Sequence, residues 1–210
     1  MNQFENAVVT ARKLIESFIK QNGEIGFPIM VIPPHLMSTR EPVPIEQGIL
    51  YEITRLYNVP LIWQRVDVSK TSHIRAMYWR TSDEAWGIVP AFHNQCWSRF
   101  LLCKELIHVA LDSNNNKTSG AEKSRELIDS LLSGMPDFLS EAVAIDHVAK
   151  IAAMELILPK EFQNDIRDMF EQGCSHKDVA ESFLVPEDII KMRYETGTKA
   201  FFEKVYKDYS

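Results

Sequence analysis

Four residues on one stretch, Lys104, Glu105, His108 and Asp112, have the types and the spacing for acid–base or metal chemistry. Lys104, His108 and Asp112 recur at i, i+4 and i+8, so on an α-helix they form one polar stripe, with Glu105 a residue to the side. In an H-E-x-x-H helix two imidazoles at i and i+4 hold Zn²⁺ from one face, and the Glu between them is general base on the metal-bound water. Here the first imidazole is replaced by the Lys104 amine. A protonated amine, with a reference pKa of about 10.4, cannot ligate zinc. The plain alternative for the stripe is a solvated helix face.

The residues around the stripe say how it must be held. Phe100, Leu101, Leu102, Leu106, Ile107, Val109, Ala110 and Leu111 are apolar almost all round, which predicts a central helix over 99–112 packed on several sides. Cys103 within it reads as inert packing rather than a thiol nucleophile for His108. A second long helix is predicted over 138–158, where Ala142, Ile145, Ala149, Ala152, Ala153 and Leu156 give a small-residue face and Pro159 ends the run. Between the two lie a polar surface loop over 112–120 and a short helix over 121–132.

Upstream, Phe4, Ala7, Val8, Ala11, Leu14, Ile15 and Phe18 have the 3.6 period of an amphipathic helix ending near Gly23. Residues 26–44 hold Pro28, Pro33, Pro34, Pro42 and Pro44, which predicts an extended connector without regular structure. A helix is expected over 45–56, then strands over 61–66, 74–79 and 85–89 in a small antiparallel sheet. Beyond Pro159 three short helical pieces are expected, with Ser175 capping one over 176–183 and Pro186 opening another that ends at Tyr194. His35, His73, His93 and His176 show no metal-ligand spacing and are expected at the surface.

The chain has 210 residues, 45% hydrophobic and 25% charged, and a formal net charge of −6, the balance of a globular protein rather than a disordered one. The acidic balance and the lack of a long Lys/Arg run oppose nucleic acid binding. Cys96, Cys103 and Cys174 are odd in number without C-x-x-C spacing, which favours reduced thiols and a cytoplasmic location. Residues 1–20 lack the apolar run of a secretory signal, and no membrane-spanning segment is expected.

Three further patterns combine. Arg99-Phe100 with Glu105-x-x-His108, after the Gly87-Ile88-Val89 strand, is similar to R-F-x-x-x-H-E-x-x-H. The run from Asp146-His147-Val148-Ala149 to Pro159 lines up with E-x-x-A-x-x-F-A-x-x-L-L-x-P, and Lys177 to Arg193 resembles a helix-turn-helix-like end. In order and spacing, over residues 40 to 195, they resemble the ImmA/IrrE-type metallopeptidases. These are intracellular zincin-like proteins whose studied members control stress responses or mobile-element transfer by cutting a transcriptional repressor.

The resemblance implies an α+β fold: a mostly helical zincin-like domain over 1–160 with a small three-stranded antiparallel sheet, and a helical C-terminal subdomain over 161–210 packed on it. It places the third zinc ligand at Asp146, a Glu in the family, with His147 or Glu141 as substitutes. Zinc is the one cofactor it implies. With Lys104 in place of a histidine, His108 and one carboxylate are too few for a tetrahedral site, so little or no zinc is expected. The Lys104 ammonium would instead pair with Glu105 and Asp146. The expected function is a cytoplasmic regulator that binds a protein or peptide partner, such as a repressor, in the cleft. Residues 85–89 are the expected edge strand for a bound peptide. Two alternatives come from other classes. One is an active zinc endopeptidase using His108, Asp146 and either His147 or Asp112 as ligands, Glu105 as general base and Lys104 on the oxyanion. The other is a DNA-binding regulator using the C-terminal helices.

Overall fold

The structure, a computed structural model, describes residues 1–26, 28–68, 75–112 and 141–209. Among them are eight α-helices and four strands. The first helix, α1 (Gln3–Asn22), begins at a reciprocal capping box, in which Asn2 accepts from the Glu5 N–H and Glu5 accepts from the Asn2 N–H. It buries Ala7, Val8, Ala11, Leu14 and Ile15 completely. The proline-rich connector is not wholly irregular: it holds a 3₁₀ turn, Pro34–Ser38, and the two-residue strand β1 (Val43–Pro44). The helix expected over 45–56 is shorter, α2 (Tyr51–Tyr57). Ile45 is instead tied to the sheet through its N–H to the Leu61 carbonyl, and Gly48, at φ 81, turns the chain between them.

The remaining strands are β2 (Leu61–Val66), β3 (Met77–Arg80) and β4 (Ala85–Pro90). They correct the expected three-stranded antiparallel sheet. The sheet has four strands in the order β1-β2-β4-β3, and its central pair, β2 with β4, is parallel. The physical reason lies in the pairing of β4, which takes β2 on one edge as a parallel partner and β3 on the other as an antiparallel one, so β4 is inserted between its predecessors. A local hairpin does join β3 to β4, with the Thr81 hydroxyl accepting from the Asp83 and Glu84 N–H groups in its turn. The segment expected as the edge is thus internal, and β1 and β3 are the outer strands among the described residues.

One face of the sheet carries α3 (Gln95–Asp112), whose first turn is capped by Asn94 accepting from the Trp97 N–H. Ala85, Gly87 and Val89 point at this helix and are buried. Gly87 lets the two elements touch: a Cβ there would lie 2.7 Å from Leu102 Cδ1 and 3.0 Å from Leu106 Cγ. On its other side α3 packs against α4 (Glu141–Ile157), which in turn packs on α1; Ala149, Ala152 and Ala153 of α4 are fully buried. The predicted central helix, surrounded on several sides, is observed. The loop expected over 112–120 and the helix over 121–132 lie outside the described residues beyond Asp112.

After a 3₁₀ turn (Lys160–Phe162) come α5 (Gln163–Glu171), α6 (His176–Phe183), α7 (Glu187–Tyr194) and α8 (Thr196–Tyr209). Ser175 caps α6 in a capping box with Asp178, and Pro186 precedes α7, as the sequence predicts. The 14-residue α8 is an addition to the expected short pieces. One continuous apolar core takes in residues from α1, α3, α4 and α5 through α8. No helix among the described residues is long and apolar enough to cross a membrane.

The closeness of β4 to α3 yields a direct expectation. Gly87→Ala pushes a methyl into Leu102 and Leu106, both fully buried with little room to turn, so unfolding free energy should drop by about 1–3 kcal/mol in a denaturant titration. An unchanged midpoint would mean that α3 slides freely on the sheet.

Candidate functional site

The site is built where α3 faces α4. Lys104 lies on a helix with 0–5% exposure at Phe100, Leu102, Cys103, Glu105 and Leu106, so its ammonium has few places to go. It reaches across to α4, with Nζ 2.5 Å from Asp146 Oδ1 and 2.8 Å from Glu105 Oε1. The Lys104 side chain is 14% exposed and that of Asp146 47%, so the ion pair is covered at its Lys104 end and open to solvent at Asp146. Burial alone would pull the Lys104 pKa down, but the charges of Glu105 and Asp146 outweigh it and leave it raised. Burial pushes the Glu105 carboxyl upward, against the pull of Lys104.

His108, one turn further along α3, is 9% exposed, and its ring stacks on Tyr78 of β3 with centroids 5.4 Å apart. Burial drives its pKa down to about 4, opposed by Asp112 and helped by the Lys104 ammonium. The imidazole is therefore neutral at physiological pH. Tyr78 is the residue that links the outer strand to this cluster, and sequence reading passed over it. Its alternation with the exposed Met77 and Trp79 in β3 was the available signal, since the one side chain between two outward ones faces the helix.

The structure brings Lys104, Glu105, His108 and Asp146 together and places His147 elsewhere. His147 is exposed and lines a separate groove of about 360 Å³ with Asn2, Phe4, Ile151, Gly197, Thr198 and Phe201. The side chain of Glu141 lies outside the described residues. Asp112 is close enough to His108 and Tyr78 to shift both. Lys150, one turn beyond Asp146, is half-buried, and burial lowers its pKa. Of the histidines expected at the surface, His35 and His176 are exposed, His73 is outside the described residues, and His93 is buried. His93 sinks because its ring packs between Phe92 and Trp97, at 4.5 and 6.4 Å between centroids. Cys103 is fully buried, which pushes its thiol up to about 12 and makes it unreactive.

A zinc ion does not fit these residues. No group of three or more His, Cys, Asp or Glu side chains among the described residues is arranged to hold a metal. The Lys104 ammonium is in contact with both carboxylates that would face the ion.

Three buried arginines, Arg99, Arg193 and Arg12, hold the surroundings. Arg99 of the R-F pair donates to the carbonyls of Ile29, at 2.5 Å, and of Phe183, at 3.1 Å, and also to that of Leu184. It thereby satisfies the carboxyl end of α6, where Leu184 is left-handed at φ 51. Arg193 on α7 joins a second cluster around Glu155, which is completely buried on α4. Glu155 accepts from the Tyr206 hydroxyl and, at 3.4 Å, from Arg12, which also forks onto Glu161 at 2.6 and 2.7 Å. Arg193 donates to Tyr206 at 2.6 Å and lies 3.5 Å over the Phe202 ring. Burial pushes the Glu155 pKa up to about 7 against the pull of Arg193, Tyr206 and Arg12. Sequence reading missed this cluster, although Glu155 is the one charged residue between Ile151 and Leu158.

Comparison with known protein families, with curated proteins and with solved structures finds no match to this chain.

The His108 environment fixes a pH response. Its folded pKa, about 4, lies below the ordinary 6.5, so the unfolded chain binds the proton more readily; the stability it contributes is present above pH 6.5 and is lost as pH falls toward 4. Acidification from pH 7 to pH 5 should cost on the order of 2 kcal/mol through this residue. His108→Phe keeps a ring against Tyr78 and removes the proton site, so the gap between denaturation midpoints at the two pH values should narrow. An equal gap in both proteins would assign the acid sensitivity to other groups.

Proposed function

We propose that this chain is an ImmA/IrrE-like protein that binds an extended polypeptide segment in the cleft beside Lys104 and does not cut it with zinc. The observation that carries the reading is the meeting of three elements at one place. A K-E-x-x-H helix faces an aspartate on a second helix through the Lys104–Asp146 ion pair, and an outer strand is stacked onto the same helix through Tyr78 and His108. The order and spacing of the sequence patterns around Arg99, Asp146 and Lys177 support the same family. The peptide is not received by 85–89, which is internal; the strand available for main-chain pairing among the described residues is β3. Met77 and Trp79, 42% and 50% exposed, would lie under alternate side chains of an added strand, while Tyr78 faces the cluster.

Cytoplasmic regulation through a partner such as a transcriptional repressor belongs to this proposal. DNA binding by α6 and α7 has less support, because Lys177 and Lys191 pair with Glu181 and Glu187 and the Arg193 guanidinium is buried.

The test is selection of peptides from a displayed random library on the full-length protein. Selected peptides should bind at least about tenfold more weakly to Trp79→Ala, since a stacked aromatic anchor is lost. Their binding should slow hydrogen exchange at the β3 amides, and they should stay intact on incubation with added zinc. Peptides that bind without protecting β3, or that are cleaved, would refute the reading.

A further inference from the structure

We infer that the Lys104 ammonium is itself the cation of this site, covalently tethered to α3 and standing where a divalent ion would otherwise neutralise the Glu105 and Asp146 carboxylates. The inference concerns how the cleft is held together, and it rests on the reading above for the identity of the ion replaced.

Three observations carry it. First, two carboxylates from different helices converge on one nitrogen, at 2.8 and 2.5 Å, so Lys104 bridges them rather than pairing with one. Second, the Glu105 side chain is 7% exposed, which leaves it almost no water to solvate its charge. A buried carboxylate next to a second one is stable only with a positive charge at close range. Third, the neighbouring imidazole is stacked on Tyr78, and the other nearby ammonium, Lys150, forms no ion pair among the described residues. Among the described residues, Lys104 is the cation in contact with both carboxylates.

A tethered cation differs from a bound ion in its consequences. It cannot dissociate, so the α3–α4 contact is independent of metal supply. It also has no open coordination position, so it cannot activate water as a catalytic metal does. It does fix the relative position of the two helices, leaving the exposed side of Asp146 to face whatever enters the cleft.

The experiment is a charge cycle on the full chain, read by thermal melting. Lys104→Met removes the charge and keeps the apolar stem; its melting temperature should fall by about 5 °C or more. Adding Glu105→Gln and Asp146→Asn to that variant should restore much of the loss, because neutral amides need no cation. Lys150→Met, the control, should show no such recovery with the same pair. Lys104→Ala opens space for an external cation, so n-propylammonium or Mn²⁺ should raise its melting temperature relative to sodium at equal ionic strength. Wild-type protein should be indifferent to Mn²⁺ and to EDTA. The inference is overturned if Lys104→Met melts with the wild type, if neutralising the carboxylates deepens the loss, or if EDTA lowers the wild-type transition. These outcomes leave the peptide-binding reading to its own experiment, since Trp79 and the β3 amides take no part in the cycle.

Discussion

A helix buried on all sides cannot leave its charges to water, and that constraint on α3 organises this molecule. Three of the polar groups on the helix are answered from other elements. Lys104 finds Asp146 on α4, Arg99 finds carbonyls in the connector and after α6, and His108 gives up its charge and stacks on β3. Moving any one of these elements would strand a charge or a donor at a cost of several kcal/mol, far more than the slack available in packing alone. Apolar contacts decide that α3 is central, and the polar contacts decide the register in which its neighbours meet it.

The same logic operates a second time on α4. It packs against α1, and the one charge in its apolar run, Glu155, would be intolerable there without donors. Arg12, Arg193 and Tyr206 supply them from α1, α7 and α8. The helices beyond Pro159 are thus joined to the core by ionic and aromatic contacts, with Lys160 also lying over the Tyr206 ring at 5.4 Å. A division of the chain near residue 160 is visible in the sequence as a proline, but physically the core continues through it.

Much of this was legible beforehand, and the boundary is instructive. Periodicity found α1, α3 and α4 because their apolar faces are long, and the capping residues Ser175 and Pro186 marked α6 and α7. The Lys104–Asp146 contact is what the resemblance implies, with the ammonium at the place of the missing metal, and the structure shows the two side chains paired. What escaped was nonlocal. Strand order cannot be read from strand sequence, so the sequence places residues 85–89 at an edge although their small inward residues, Ala85 and Gly87, are suited to a covered strand. Tyr78 and Glu155 each stood out by contrast with their neighbours, but only spatial partners gave that contrast meaning. His93 looked like a loop residue because nothing in its local sequence announced the aromatic walls around it.

The inserted position of β4 also constrains how the chain can assemble. Pairing of β2 with β3, the strands that are made first, is a wrong contact that must open before β4 can enter. Closing β3 onto β4 needs only the Thr81–Glu84 turn, whereas joining β2 to β4 requires a longer loop and a parallel ladder. Loop entropy therefore favours a preformed β3–β4 hairpin that docks as a unit, bringing Gly87 onto α3 and Tyr78 onto His108 together. The outer strand and the buried imidazole would then come into register in the same event, so the surroundings of His108 are completed as the sheet closes rather than in a finished fold.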